Sequence, residues 1–184
     1  MFDDGFFFLT DEYRIGQTMV ASTVTMESAI KCIRRVNMFE KILYPTDFSD
    51  PSKKALNYVK KLKESGAKEV IVLHVIDERE IESMMRHEEG ALNFEKELEK
   101  VMEDNAKREI KGVESELKKS GFNVKVRIER GIPFRDILKV EKEEDVSLIV
   151  IGSHGKSCIQ EMFLGSVSEN VIRKSDRPVF VIRR

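Results

Sequence analysis

Residues 147–168, SLIVIGSHGKSCIQEMFLGSVS, pass from an unbroken apolar run through one glycine turn to a second glycine that opens a helix. The run Ser147–Ile151 has no polar alternation, which marks a strand covered on both faces. Gly152 and Gly155 follow without side-chain bulk, so backbone N–H groups there can turn toward an anion and approach it closely. Gly165-Ser166 then starts a helix over Ser166–Lys174, whose unpaired N–H groups and positive dipole end supply a second anion contact. The hydroxyls of Ser166 and Ser168 are further donors to phosphate oxygens. Either glycine turn alone reads as an ordinary turn or helix start. The pattern Gly152-x2-Gly155-x9-Gly165-Ser166, placed after a buried strand and before a helix, reads as a polyphosphate cradle. It is not a P-loop, because Val150 stands where the earlier glycine of Gly155-Lys156-Ser157 would have to be.

Working outward, the same alternation of short apolar runs and longer charged segments fills the chain from Met38. Strands are expected at Glu40–Tyr44, Glu69–Val75, Val124–Ile128, Ser147–Ile151 and Pro178–Ile182, five in all. Ala55, Leu56, Val59 and Leu62 recur at helical spacing in Pro51–Ser65, which Ser49-Asp50-Pro51 opens and Gly66 closes. Leu98, Met102, Ala106, Ile110, Val113 and Leu117 stripe a long helix over Leu92–Lys119, ended by Gly121. Shorter helices are expected at Phe134–Glu143 and Ser166–Lys174. Strand followed by helix, four times over and closed by a strand, calls for a parallel sheet with helices on both faces. Both doubly wound orders, 2-1-3-4-5 and 3-2-1-4-5, put a ligand crevice at the carboxyl ends of the strands where the winding reverses.

A second group of unusual residues follows the first strand: Pro45-Thr46-Asp47-Phe48-Ser49. Ser49 or Asp50 serves the helix cap, which leaves Asp47 for a ribose or adenosine contact, with Pro45 and Thr46 lining the same pocket. His154 has no carboxylate neighbour in sequence and reads as an exposed loop histidine. His74 reads as a satisfied core residue and His87 as solvent-facing, so the three histidines make no metal cage. A divalent ion would enter on the phosphates with few protein ligands.

Composition narrows the class. The 32 Lys+Arg against 33 Asp+Glu give a net charge of -1, no footprint for nucleic acid or an anionic membrane. Cys32 and Cys158 lie far apart, which points to a reducing, cytoplasmic setting, and no apolar run approaches the ~20 residues of a membrane span. Met1–Asn37 stands outside the pattern: Phe6-Phe7-Phe8-Leu9 is too short and Asp3 and Asp4 too acidic for a secretory signal. The segment reads as an extension, or as an early start with Met38 the initiator, with a short helix over Ser28–Val36 and the domain proper at residues 38–184.

The stretches Lys41–Ser49 (KILYPTDFS), Val70–Asp77 (VIVLHVID) and Gly152–Ser166 resemble the universal stress protein family over Met38 to Arg184, most of all its ATP-binding archaeal-type members. The resemblance implies a Rossmann-like, adenine nucleotide alpha hydrolase-like sheet in the order 3-2-1-4-5, and a homodimer joined partly through the last strand. It implies adenosine contacts at Pro45, Thr46, Asp47 and Val75, and phosphate contacts at Gly152, His154, Gly155, Gly165, Ser166, Val167 and Ser168. It also implies Mg or Mn with the ATP phosphates. The leading functional reading is a nucleotide-dependent switch in stress response, in which ATP orders Asp77–Gly90 over the pocket and changes a surface read by an unknown protein partner. A slow metal-dependent ATPase using His154 or Asp47, and a dimeric scaffold with a vestigial pocket, are the alternatives.

Overall fold

A computed structural model describes residues 7–9, 39–85, 92–155 and 164–183. The parallel strands are β2 (Lys41–Pro45), β3 (Glu69–Asp77), β4 (Asn123–Gly131), β5 (Leu148–Gly152) and β6 (Val179–Ile182). An additional short strand, β1 (Phe7–Leu9), runs antiparallel to β6. The helices are α1 (Asp50–Leu62), α2 (Glu78–Met85), α3 (Leu92–Lys119), α4 (Pro133–Glu143) and α5 (Ser166–Lys174). The sheet order is β1-β6-β5-β2-β3-β4. With its five parallel strands counted in chain order, it reads 3-2-1-4-5.

Alternation along the strands divides the core in two. Ile42, Tyr44, Val70, Val72, Leu148, Val150 and Phe180 pack on one face with Ala55, Val59 and Leu62 of α1 and Ile110 and Leu117 of α3. Leu43, Ile71, Leu73, Ile149, Ile151 and Val181 pack on the other with Ile137 and Val140 of α4 and Val171 of α5. Both faces are covered, which is why these strands lack polar alternation. β4 lies at the edge and keeps the half-exposed pattern its sequence shows.

The local stops and starts are those the sequence writes. A 3-10 turn over Lys63–Ser65 extends α1, and Gly66 ends it at φ 99, a left-handed position that favours glycine. Ser49 is the N-cap residue of α1, but its side chain makes no cap hydrogen bond, because the hydroxyl is turned back onto Asp47. Two features differ from the sequence reading. The region after β3 is already helical as α2, anchored by buried Ile81 and by Asp77 Oδ1 accepting the Arg79 N–H at 3.0 Å. Among the described residues the sheet has six strands, because Phe7–Leu9 joins the five expected parallel strands from a segment in which no strand is expected. The helix expected over Ser28–Val36 lies outside the described residues, as do His87, Cys32 and Cys158.

The site is positioned by register. β2 pairs with β3 at five positions, but with β5 only at Ile42–Leu148 and Leu43–Ile149. Past Leu43 the two central strands have no ladder between them. A crevice therefore opens between Pro45-Thr46-Asp47 and Gly152, at the point where the winding reverses.

Candidate functional site: a crevice at the switch point

A cavity of about 720 Å³ fills this crevice, and every residue nominated above from the Asp47 turn, Val75 and the glycine pattern lines it. The nominated residues reach it from four segments, the carboxyl ends of β2 and β3, the turn after β5 and the start of α5, and residues of α1, α2, α3 and α4 complete the lining. The volume lies within the range of small-molecule and cofactor sites.

The Asp47 side of the crevice is built by a buried hydroxyl network. Tyr44 Oη donates to Ser52 O at 2.7 Å, and Thr46 Oγ1 lies 2.6 Å from Ser52 Oγ. Burial raises the Tyr44 phenol above its usual range, so it stays a neutral donor. Thr46 N–H donates to Leu73 O at 2.8 Å, continuing the β2–β3 ladder one step beyond the strand. Asp47 then turns back, its Oδ1 accepting from Ser49 N–H at 3.1 Å and Ser49 Oγ at 2.6 Å. Phe48 adopts φ 62 in this turn, an uncommon conformation for a bulky residue.

The glycine side is built by close approach. A Cβ on Gly155 would lie 2.6 Å from Asp47 Oδ2, so the missing side chain makes room for that carboxylate across the crevice. A Cβ on Gly152 would lie 2.9 Å from Ser52 N and 3.0 Å from Pro51 C, where the first turn of α1 presses on β5. A Cβ on Gly165 would lie 3.0 Å from His154 Cα. Ser153 O binds the two turns together, accepting from Gly165 N–H at 2.8 Å and Ser168 Oγ at 2.6 Å. The Ser168 hydroxyl, within reach of Gly165 O as well, is thus committed to carbonyls inside the protein. The first bond of the α5 ladder is Glu169 N–H to Gly165 O at 2.9 Å, so the N–H groups of Ser166, Val167 and Ser168 precede the ladder at the cavity wall.

Two histidines differ from their sequence readings. His154 is buried at 8% exposure, its Nδ1 2.9 Å from Ser153 Oγ, because the turn folds inward against α5. His74 is half-buried and lines the cavity, donating from Nδ1 to Thr46 O at 2.8 Å and stacking on Phe48 at 4.7 Å between centroids. A histidine near the carboxyl end of an otherwise aliphatic strand was the signal available for it. Nothing in the sequence marked Ala106 or Glu109 of α3 as cavity residues, since both belong to a long charged helix.

Among the described residues, the charged side chains lining the cavity are the carboxylates Asp47, Asp77, Glu80 and Glu109 and the cations Lys53 and Arg79. Arg79 is engaged with Asp77 through Nε at 2.9 Å and Nη2 at 2.5 Å. Burial alone would raise the Asp77 carboxyl, but the Arg79 bonds outweigh it and hold it below the usual carboxylate range. No group of three His, Cys, Asp or Glu side chains among the described residues is arranged to hold a metal ion. No helix among them is long and apolar enough to cross a membrane.

The fold and site define a doubly wound α/β protein whose switch-point crevice faces backbone donors and a helix N-terminus. The chain belongs to the universal stress protein family, whose model matches residues 38–183. It is 46% identical over 157 residues to universal stress protein MJ0577 of Methanocaldococcus jannaschii, covering 80% of this chain and 96% of that one. The solved structure of MJ0577 superposes with a TM-score of 0.71 over 80% of this chain and 97% of that chain. Universal stress protein YxiE of Bacillus subtilis is 32% identical over 79% of this chain and its own full length. The universal stress protein from Archaeoglobus fulgidus in complex with dAMP shares the fold, with a TM-score of 0.54 at 23% identity, over 79% of this chain and 99% of that one.

Proposed function

We propose that this protein binds ATP in the switch-point crevice and acts as a nucleotide-dependent switch in stress response. The observation that carries the reading is the convergence of the Asp47 turn and both glycine turns on one cavity. Pro45, Thr46, Asp47 and Val75 take the adenosine. The phosphates lie along Gly152, His154, Gly155, Gly165, Ser166, Val167 and Ser168, where backbone N–H groups at the start of α5 match an anion. The Ser168 contribution comes from its N–H, since its hydroxyl is spent on Ser153 O. The dAMP bound by the Archaeoglobus relative supports an adenine nucleotide as the ligand class.

Four carboxylates against two cations around the cavity leave the described lining with an excess of negative charge. A polyphosphate entering there needs Mg or Mn to offset repulsion, held by phosphate oxygens rather than by a protein cage. The balanced charge and paucity of cysteine favour a cytoplasmic protein. The domain proper spans 38–184, and the segment from Asp77 onward, already helical over α2, is the one that bound nucleotide repositions over the pocket for a protein partner. A homodimer through β6 completes the reading, and it requires β1 to leave the edge that it occupies.

Mass analysis of nucleotide released from freshly purified protein, followed by calorimetric titration with ATP, ADP and AMP with and without Mg, tests this. Saturable ATP binding strengthened by Mg is expected. Absence of saturable binding by all three nucleotides with Mg present overturns it.

A further inference from the structure

Ser153 lies within the first glycine turn, between Gly152 and Gly155, and outside the contacts assigned above to the nucleotide. Its backbone is fixed from three directions: its N–H donates to Ile182 O at 2.8 Å, and its carbonyl accepts from Gly165 N–H and Ser168 Oγ. Strand β6, the Gly165 turn and α5 therefore set where its side chain points. That side chain is 2% exposed, and its Oγ lies 2.9 Å from Nδ1 of His154, which lines the cavity.

A neutral imidazole has one N–H and one lone pair, and the bond made by one nitrogen decides what the other offers. With Nδ1 occupied by Ser153, Nε2 is the nitrogen left for a ligand. If the hydroxyl donates to Nδ1, Nε2 carries the proton and is a donor. If the hydroxyl accepts, Nε2 presents a lone pair, which repels a phosphate oxygen. An anionic ligand in the crevice is compatible only with the first arrangement or with the imidazolium.

We propose that Ser153 is a positioning residue for phosphate binding: its hydroxyl donates to His154 Nδ1 and holds the ring as the Nε2–H tautomer, so that neutral His154 donates a hydrogen bond to a phosphate oxygen. The arrangement follows the logic by which a partner behind a histidine fixes the tautomer of a ligand-facing nitrogen. It rests on the nucleotide reading above. Its distinct consequence is that the direction of the ring N–H toward the phosphate depends on the Ser153 hydroxyl.

The test uses the full chain labelled with ¹⁵N, with His154→Gln to assign the ring signals. Long-range ¹H–¹⁵N spectra are taken at neutral pH, free and with ATP and Mg. A protonated Nε2 and an unprotonated Nδ1 on His154 are expected in both. Ser153→Ala should mix the tautomers and weaken ATP binding about tenfold, the size of one hydrogen bond to an ionised group. Ser153→Thr, which keeps the hydroxyl, should restore both. ATP binding with a proton on Nδ1, or a Ser153→Ala protein with unchanged tautomer and affinity, overturns the positioning role alone. A wild-type protein that binds no ATP overturns the nucleotide reading and this role with it. The tautomer measurement needs no variant at position 153, so misfolding of Ser153→Ala does not decide the matter.

Discussion

Asp47 and Gly155 act as one unit across the crevice, since a single methyl group at position 155 would sit 2.6 Å from the Asp47 carboxylate. Gly155 therefore makes room for a carboxylate, in addition to the phosphate contact proposed for it. Gly155→Ala should displace Asp47 and weaken ATP binding about tenfold, while in an Asp47→Ala background the same change should cost much less. Calorimetry of the two single variants and the double variant measures that coupling, expected at about 1–2 kcal/mol because the residues are in contact. Additive losses would show that Gly155 contributes through its backbone alone. Glu141 is a second residue with a definite chemical prediction. Glu141 is 1% exposed, its Oε1 accepts the Asp176 N–H at 2.9 Å, and Oε2 has no hydrogen-bond partner among the described residues. Burial raises its pKa, against smaller lowering by the Asp176 N–H and the Ser175 hydroxyl. A carboxyl with a raised folded pKa stabilises the fold fully below its unfolded pKa, and that contribution is lost as pH rises through the folded value. Glu141→Gln keeps an acceptor for Asp176 without the charge. It should flatten this part of the pH dependence and raise stability by on the order of 1 kcal/mol at neutral pH. Urea unfolding at pH 4.5 and 7.5 reads both effects.

At the scale of elements, Gly152 sets the distance between β5 and α1. A Cβ there would meet backbone atoms of Pro51 and Ser52, which cannot rotate away as a side chain can. Gly152→Ala should thus push α1 outward and destabilise the protein by about 1–3 kcal/mol, seen as a lower urea midpoint with unchanged slope. Most elements were legible because their signals are local. Ser166–Lys174 is read to the residue from Gly165 before it and its apolar spacing, and the end of α1 from Gly66. The strand periods were equally plain, because burial on both faces leaves the central runs almost wholly apolar, while β4 at the edge alternates. What was not legible depends on partners distant in sequence. The inward turn of His154 depends on contacts with α5, and the cavity-facing position of His74 depends on the Phe48 ring and the Thr46 carbonyl. The role of Gly152 and Gly155 in close packing likewise needs the opposing backbone and carboxylate in place. A glycine spacing in sequence shows only that side chains are missing.

At the scale of the whole molecule, the least local feature is the pairing of β1 with β6, which joins the two ends of the chain through Phe7–Val181, Phe8–Phe180 and Leu9–Val179. All four residues of β6 are buried, so without β1 the sheet ends in an apolar strand with unpaired backbone groups. Such an edge pairs readily with another strand, including its own copy related by a two-fold axis. β1 contributes only three residues, and a cover that short is replaceable. The proposed self-association through β6 would therefore compete with closure by β1 for the same backbone groups. Removing residues 1–37 should uncover the edge and tighten self-association relative to the full chain, measured by sedimentation velocity over a concentration series. Phe8→Pro tests the same competition within the full chain, because proline removes an N–H and does not fit a paired strand position. Both changes should shift the equilibrium toward the dimer. If neither moves it, β1 does not limit association through β6, and the homodimer reading loses its dependence on the amino-terminal segment.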